Sequence, residues 1–220
     1  ALFLCEDDDD DEIADCILPG RKAPSEVRKS LPAPGTNSEW AELAVLRRGW
    51  DRSSDQLMVS YANRELRMEL NCGSQTVFSG VCNPELRVDG QLLELLQDWE
   101  EVCWHSDDDL DYLELEGRFE NGWKVQRQML LARGDRFLVL ADAVLGETTA
   151  EIEHQFTLPL NSNISFTAAD ETREGVLRGR KPIGAVLPLQ LPEWRAERAA
   201  GSLEQVADGL RLRQNANATS

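Results

Sequence analysis

Asn121-Gly122 stands between two runs of residues that alternate in polarity, and no other feature restricts the chain as much. On its N-terminal side Leu113, Leu115 and Phe119 alternate with Glu114, Glu116, Arg118 and Glu120. A period of two sends one set of side chains into a core and the other into water, as in a half-buried strand. A two-residue hairpin needs positive φ at both central positions, which Asn and Gly tolerate at least cost. The pattern therefore predicts a return through Trp123, Val125, Met129 and Leu131, then a turn at Arg133-Gly134-Asp135. A third strand follows from Arg136 to Val144. Its run FLVLADAV is apolar at nearly every position, which predicts a place in mid-sheet with both faces covered.

The same signals recur on either side. Trp40 to Arg48, Gln56 to Tyr61, Leu66 to Leu70 and Gln75 to Val81 read as strands. Glu85 to Val88 and Gln91 to Leu96 flank Asp89-Gly90, a second two-residue hairpin signal. Glu100 to His105 precedes the central triple ribbon and Glu151 to Leu158 follows it. Short strands are expected at Ile164 to Ala168, Gly175 to Arg178, Val186 to Leu191 and Leu210 to Arg213. Glu193 to Ala207 is the one stretch expected to hold a short C-terminal helix. This density of strands and turns predicts an all-β fold, a large antiparallel β-sandwich of two facing sheets. It would occupy residues 39–220, behind an irregular segment at residues 1–38. That segment carries the acidic run Glu6 to Glu12 and a Pro-rich connector with one helical turn at Ser25 to Ser30.

The formal net charge is −17, and the acidic run alone contributes seven of the carboxylates. Nucleic-acid phosphates and anionic membrane surfaces call for clustered Lys and Arg, so neither partner is expected. No apolar run approaches the roughly 20 residues of a membrane span, so no insertion is expected. A calcium loop would space its acids around a Gly and end on a Glu, which the acidic run does not do. Cys5, Cys16, Cys72, Cys82 and Cys103 show neither CxxC nor Cys/His zinc spacing, and read as small buried thiols. No metal or cofactor is expected. The chain opens on Ala in mid-pattern, which suggests a segment of a longer polypeptide. Asn163-Ile164-Ser165 and Asn217-Ala218-Thr219 fit the glycosylation sequon.

Leu43 to Arg47 followed by Gly49-Trp50, and Gln126 to Leu131 followed by Arg133 to Asp135 and Phe137 to Asp142, carry a family likeness. With Glu153-His154-Gln155-Phe156 they resemble the C-terminal β-sheet domain of heparinase II/III-like polysaccharide lyases, over roughly Trp40 to Leu160. The resemblance implies a β-sandwich attached to a helical toroid, acting on uronate-containing glycans by β-elimination. In that family a His-rich GHxHAD stretch lies between the opening strands. Here the corresponding residues are Ser60 to Glu65, which contain no His, and Ser79 replaces an Asp further on. The chain has only His105 and His154, too few for a His-based elimination centre or zinc site.

No catalytic residue is therefore expected within the segment. Trp104, His105 and Tyr112 are the candidate sugar platform, because an aromatic face stacks on the C–H face of a pyranose while nearby acids accept its hydroxyls. The competing reading places Trp99 and Trp104 over the core and leaves Asp107 to Asp109 as a solvated loop. His154 shares a strand face with Ile152 and Phe156 and reads as a hydrogen-bonded core residue. Arg127 and Asp142 read as a buried structural pair fixing sheet register, and Tyr61 with Asn63 resembles a lyase pair in composition only. These readings make the chain a non-catalytic, structural or carbohydrate-binding domain that packs against the rest of a larger protein. Two alternatives stand beside it: part of an active lyase completed by a toroid elsewhere, and an interaction module without a sugar ligand.

Overall fold

The alternating segments fold as seventeen strands in chain order, shown by a computed structural model that describes residues 31–218. The acidic run and the helical turn at Ser25 to Ser30 lie outside the described residues. From residue 35 on, the described residues form one unit by their contacts. Its first sheet holds β1 (Thr36–Ser38), β2 (Leu43–Arg47), β3 (Gln56–Ser60), β4 (Arg67–Cys72) and β5 (Gln75–Val81), in that order. A second contains β6 (Glu85–Val88) and β7 (Gln91–Leu93) with β12 (Ala150–Leu158), β16 (Gly201–Val206) and β17 (Gly209–Ala218), ordered β16-β17-β12-β6-β7. The central ribbon makes a third, ordered β11-β10-β9-β8, from β8 (Glu100–Ser106), β9 (Leu110–Arg118), β10 (Lys124–Ala132) and β11 (Leu138–Leu145). The smallest sheet is β13 (Ser165–Ala168), β14 (Gly175–Arg178) and β15 (Pro182–Val186). The fold is all-β and antiparallel, but its four-part, propeller-like division replaces the two large facing sheets expected from the sequence.

Both expected corners turn the chain through positive φ, but only Asp89-Gly90 does so as a two-residue loop. Asn121 and Gly122 stand at φ 58° and 78°, and Asp89 and Gly90 at 48° and 82°. Val88 pairs with Gln91 across the second corner, a two-residue loop as expected. The first is longer than expected: Phe119 N–H donates to the Trp123 carbonyl at 2.7 Å around a 3₁₀ turn at Glu120–Gly122, which sets Lys124 and not Val125 opposite Arg118. From there β9 and β10 stay in register to Ala132 opposite Leu110. Parity then decides the faces. Leu113, Leu115, Val125, Met129 and Leu131 are all sealed in the core, with Leu46, Leu57, Val59 and Val77 of the first sheet among their fellow core residues. Glu114, Gln126 and Gln128 take the opposite face of the sheet. On the side of β5 away from β4, the chain beyond β12 is its neighbour: Ser79 N–H donates to the Pro159 carbonyl at 3.0 Å, and Asn161 N–H to that of Val77 at 2.9 Å.

Several local expectations are corrected. Among the described residues the β11 strand is an edge, not a mid-sheet strand, because only β10 pairs with it. Its apolar outward residues mimic full burial while Leu145 stays 42% exposed. The C-terminal helix is absent among the described residues, whose one helical turn is a 3₁₀ turn at Glu120–Gly122. Short helices depend on packing an apolar stripe. The only large apolar residue of Glu193 to Ala200 is Trp194, so that stretch stays irregular and Gly201–Val206 pairs with β17. The strand at Val186 to Leu191 ends at Val186, since Pro188 and Pro192 cannot donate to a ladder. Trp40 falls in a turn and is 95% exposed. Of the described cysteines Cys82 is buried and Cys103 is exposed, which corrects the reading of uniformly buried thiols.

Gly122 has open space where a Cβ would sit, so replacing it costs backbone conformation alone. Gly122→Ala is expected to lower stability by about 1–2 kcal/mol, the cost of a left-handed non-glycine residue. Urea unfolding should show it as a lower midpoint at unchanged slope. Gly134, which also faces open space, is the control: Gly134→Ala should stay within roughly 0.5 kcal/mol of the parent.

Candidate functional site

Three polar constellations are built on these sheets. The most deeply buried is centred on Arg127, which occupies a core position of β10 by parity and is 1% exposed. Asp142 lies directly opposite on β11, and the guanidinium grips its carboxylate with Nε at 2.6 Å and Nη2 at 2.5 Å. Nη1 donates to the Cys82 carbonyl at 2.8 Å, and the Phe156 ring of β12 lies 4.7 Å from Cζ. His154, also on β12, brings Nε2 to 2.9 Å from Asp142 Oδ2, but out of line for a well-formed hydrogen bond. Burial by itself would raise the Asp142 carboxyl, but the charge and hydrogen bonds of Arg127 outweigh it and hold the group well below the usual carboxylate range. The Cys82 thiol beside this cluster is pushed up to about 11 by burial. The cluster spans β10, β11 and β12, so it ties the third sheet to the second.

The expected sugar platform divides between two faces. His105 stands opposite Tyr112 across β8 and β9, whereas Trp104 stands opposite Leu113, which is fully buried. Trp104 accordingly packs against the core cluster, and only His105 and Tyr112 share the outward face. Tyr112 donates its hydroxyl to Glu114 at 2.7 Å, and burial with this partner raises its pKa. His105 Nε2 lies 2.9 Å from Asp107, whose carboxyl drops to about 2 through that contact and through the Leu110 and Asp109 amides. On the same outward face Glu116 accepts from Lys124 at 2.9 Å, Arg118 at 3.2 Å and Gln126 at 3.2 Å. Tyr61 is elsewhere, 1% exposed, with its hydroxyl donating to Glu101 at 3.0 Å. Burial and the Glu101 contact push that phenol well above its ordinary range, and neither histidine reaches it.

A third arrangement escaped the sequence reading. Arg47 ends β2, and Gln56 and Asn71 stand beside it in one row across β3 and β4. The Trp50 loop turns over the end of this row and leaves an open groove of about 240 Å³, into which Arg52 and Ser54 also project. The Arg47 guanidinium lies 4.6 Å from the Trp50 ring centroid, and its Nε donates to Gln56 Oε1 at 2.9 Å. Its neighbour Arg48 is committed elsewhere, to Asp55 and the Arg133 carbonyl. The signal was present in the sequence as Arg-Arg-Gly-Trp-Asp-Arg, but only strand pairing shows which of those arginines face Trp50. Among the described residues no cluster of three or more His, Cys, Asp or Glu side chains could hold a metal ion.

No family model and no curated protein matches this sequence. Solved structures do share its fold. Heparan sulfate lyase HepC from Pedobacter heparinus is 15% identical, over 89% of this chain and 34% of that one, with a TM-score of 0.54. A mutant of the same lyase gives 14% identity over 90% and 35% of the two chains, with a TM-score of 0.56. A heparinase III gene product with methylated lysines gives 12% over 85% and 34%, with a TM-score of 0.52. This chain thus spans about a third of the length of those proteins, and the likeness is one of fold.

Asp142→Asn removes the charge and keeps the shape, leaving Arg127 buried without a counter-ion. A loss of about 3–5 kcal/mol is expected at neutral pH. Because Asp142 binds its proton less readily folded than unfolded, the wild type gains stability from it above about pH 4 and loses that part as pH falls. Urea unfolding followed from pH 7 down to pH 3 should show this acid limb in the wild type and a flatter one in the variant.

Proposed function

We propose that this chain is the β domain of a polysaccharide lyase-like protein, with a structural and carbohydrate-contacting role and no elimination chemistry of its own. The fold shared with heparan sulfate lyases supports the first part. One observation carries the second: the groups that could handle a proton do not converge among the described residues. His154 is sealed beneath Arg127, Asp142 and Phe156, and His105 stands on an outward face beside Asp107. Tyr61 is buried against Glu101. A base, an acid and the reacting carbon must meet within hydrogen-bond reach for β-elimination, and here they are distributed over separate surfaces.

In this reading the β8–β11 sheet and β12, joined through Arg127, Asp142 and Phe156, form the structural body of the domain. The His105 and Tyr112 face, with Glu114 and Gln128 beside them, is the glycan-contacting surface. Leu43, Met58 and Val81 lie on the outward face of the first sheet, each more than a third exposed, and are the surface that packs against the rest of a longer protein. Elimination in such a protein would draw its proton-handling groups from outside this chain.

Calorimetry of the 220-residue chain with heparan sulfate should give saturable binding, and His105→Ala with Tyr112→Ala together should weaken it about tenfold, or about 1.4 kcal/mol. Incubation of the chain with the same glycan should yield no unsaturated uronate. Appearance of that product would make the segment an enzyme. Absence of binding to this or any other polysaccharide would leave an interaction module without a sugar ligand.

A further inference from the structure

On a chain of net charge −17, the groove at the end of β2 is a place where positive groups are left over. Its lining contains two arginines and one aspartate, Arg47, Arg52 and Asp51. Among the described residues Arg47 uses Nε on Gln56 and its flat face on Trp50, which leaves both terminal nitrogens without a protein partner. Arg52 has no ion-pair partner among them, and the Gln56 amide nitrogen donates to none of them. By contrast Arg127 pairs with Asp142 and Arg133 with Asp111, while Arg48 and Arg136 share Asp55. Trp50 is 38% exposed at the rim of the groove, and the Arg47 guanidinium lies over its ring.

The arrangement is held in place before any ligand arrives. Asp111 is fully buried and accepts the Arg47 backbone N–H at 2.8 Å, while Arg133 and Ser106 fix its other oxygen at 2.6 and 2.7 Å. Asn71, next in the row, has its amide nitrogen on Glu69 and its oxygen under Thr76. Gly73 flanks the groove at φ +60°, a backbone conformation that favours glycine. A guanidinium so fixed loses little freedom on binding, and it presents a fork that matches a carboxylate or sulfate.

We infer that the Arg47–Trp50–Arg52 groove is a binding site for a single sugar ring bearing a carboxylate or sulfate. The acid is taken by Arg47 and Arg52, the ring stacks on Trp50, and Gln56 with Ser54 contacts its hydroxyls. The groove's volume of about 240 Å³ gives room for one sugar ring. The acid-and-ring chemistry rests on the groove alone, and the choice of a sugar rests on the carbohydrate reading of the fold.

Heteronuclear NMR of the full chain, with the Trp50 indole N–H assigned from Trp50→Ala, tests this with glucuronate, glucose and inorganic sulfate as probes. Glucuronate should shift the Trp50 indole and Arg47 Nε–H signals saturably, and glucose at equal concentration should not. Trp50→Ala should raise the glucuronate Kd about tenfold, and Arg47→Gln with Arg52→Gln should erase the preference over glucose. Thermal melts of each variant should match the parent, as these side chains lie on an open loop and sheet end. If glucuronate leaves Trp50 unmoved, or if sulfate reproduces the whole response and Trp50→Ala does not alter it, the proposal fails. Heparan sulfate binding that survives all three substitutions with Trp50 unmoved would overturn the groove and leave the proposed function standing. Saturable glucuronate binding without retention of the polysaccharide would uphold the groove and overturn that function.

Discussion

A guanidinium taken out of water costs several kcal/mol unless its donors find acceptors, and Arg127 is placed where nothing but protein can supply them. Asp142 answers two of its nitrogens from the next strand, and the Cys82 carbonyl answers a third from the connection between β5 and β6. The Phe156 ring closes the cluster from β12. Those partners come from three of the four sheets or their connections. Slipping β10 by one residue would turn Arg127 to solvent and leave Asp142 buried without a counter-ion, so the pair specifies register as well as contact. The apolar residues around it supply the larger share of the burial but tolerate exchange of one for another. The arginine does not.

The same logic organises the sheet edges. Asp111 is fully buried, accepts from the Arg133 guanidinium and holds the Arg47 backbone, so β2 of the first sheet is tied to β9 of the third. Asp55 is shared by Arg48 and Arg136 and joins the β3 end to the turn before β11. Each tie leaves a neighbour with unspent capacity. Arg47 is held by its backbone on Asp111, while its terminal nitrogens have no partner among the described residues.

Much of this architecture was legible in the residues. Asn121-Gly122 and Asp89-Gly90 marked two corners because few other pairs accept positive φ twice in succession, but the 3₁₀ turn that lengthens the first loop and shifts its register left no such mark. The alternation in Leu113 to Phe119 assigned faces correctly, and Glu85–Val88, Gln75–Val81 and Gly175–Arg178 begin and end where their turn residues require. What depends on long-range pairing was not legible. FLVLADAV looks the same whether one strand or two pair with it, and β11 proved an edge. Trp104 and His105 are adjacent in sequence and so fall on opposite faces of β8, which separates residues that composition had grouped. The Trp50 groove was hidden for the converse reason: Arg47, Gln56 and Asn71 are distant in sequence and meet only through the β2–β3–β4 register.

A double-mutant cycle on Arg127→Met and Asp142→Leu tests most directly whether this one buried pair holds the sheets in place. Each single replacement strands a buried charge and should cost about 3–5 kcal/mol, whereas the double replacement should restore an apolar contact and cost far less than their sum. A coupling of several kcal/mol is the expected result. Two losses that simply add would show the pair to be incidental to the packing, and the fold would then rest on its apolar core alone.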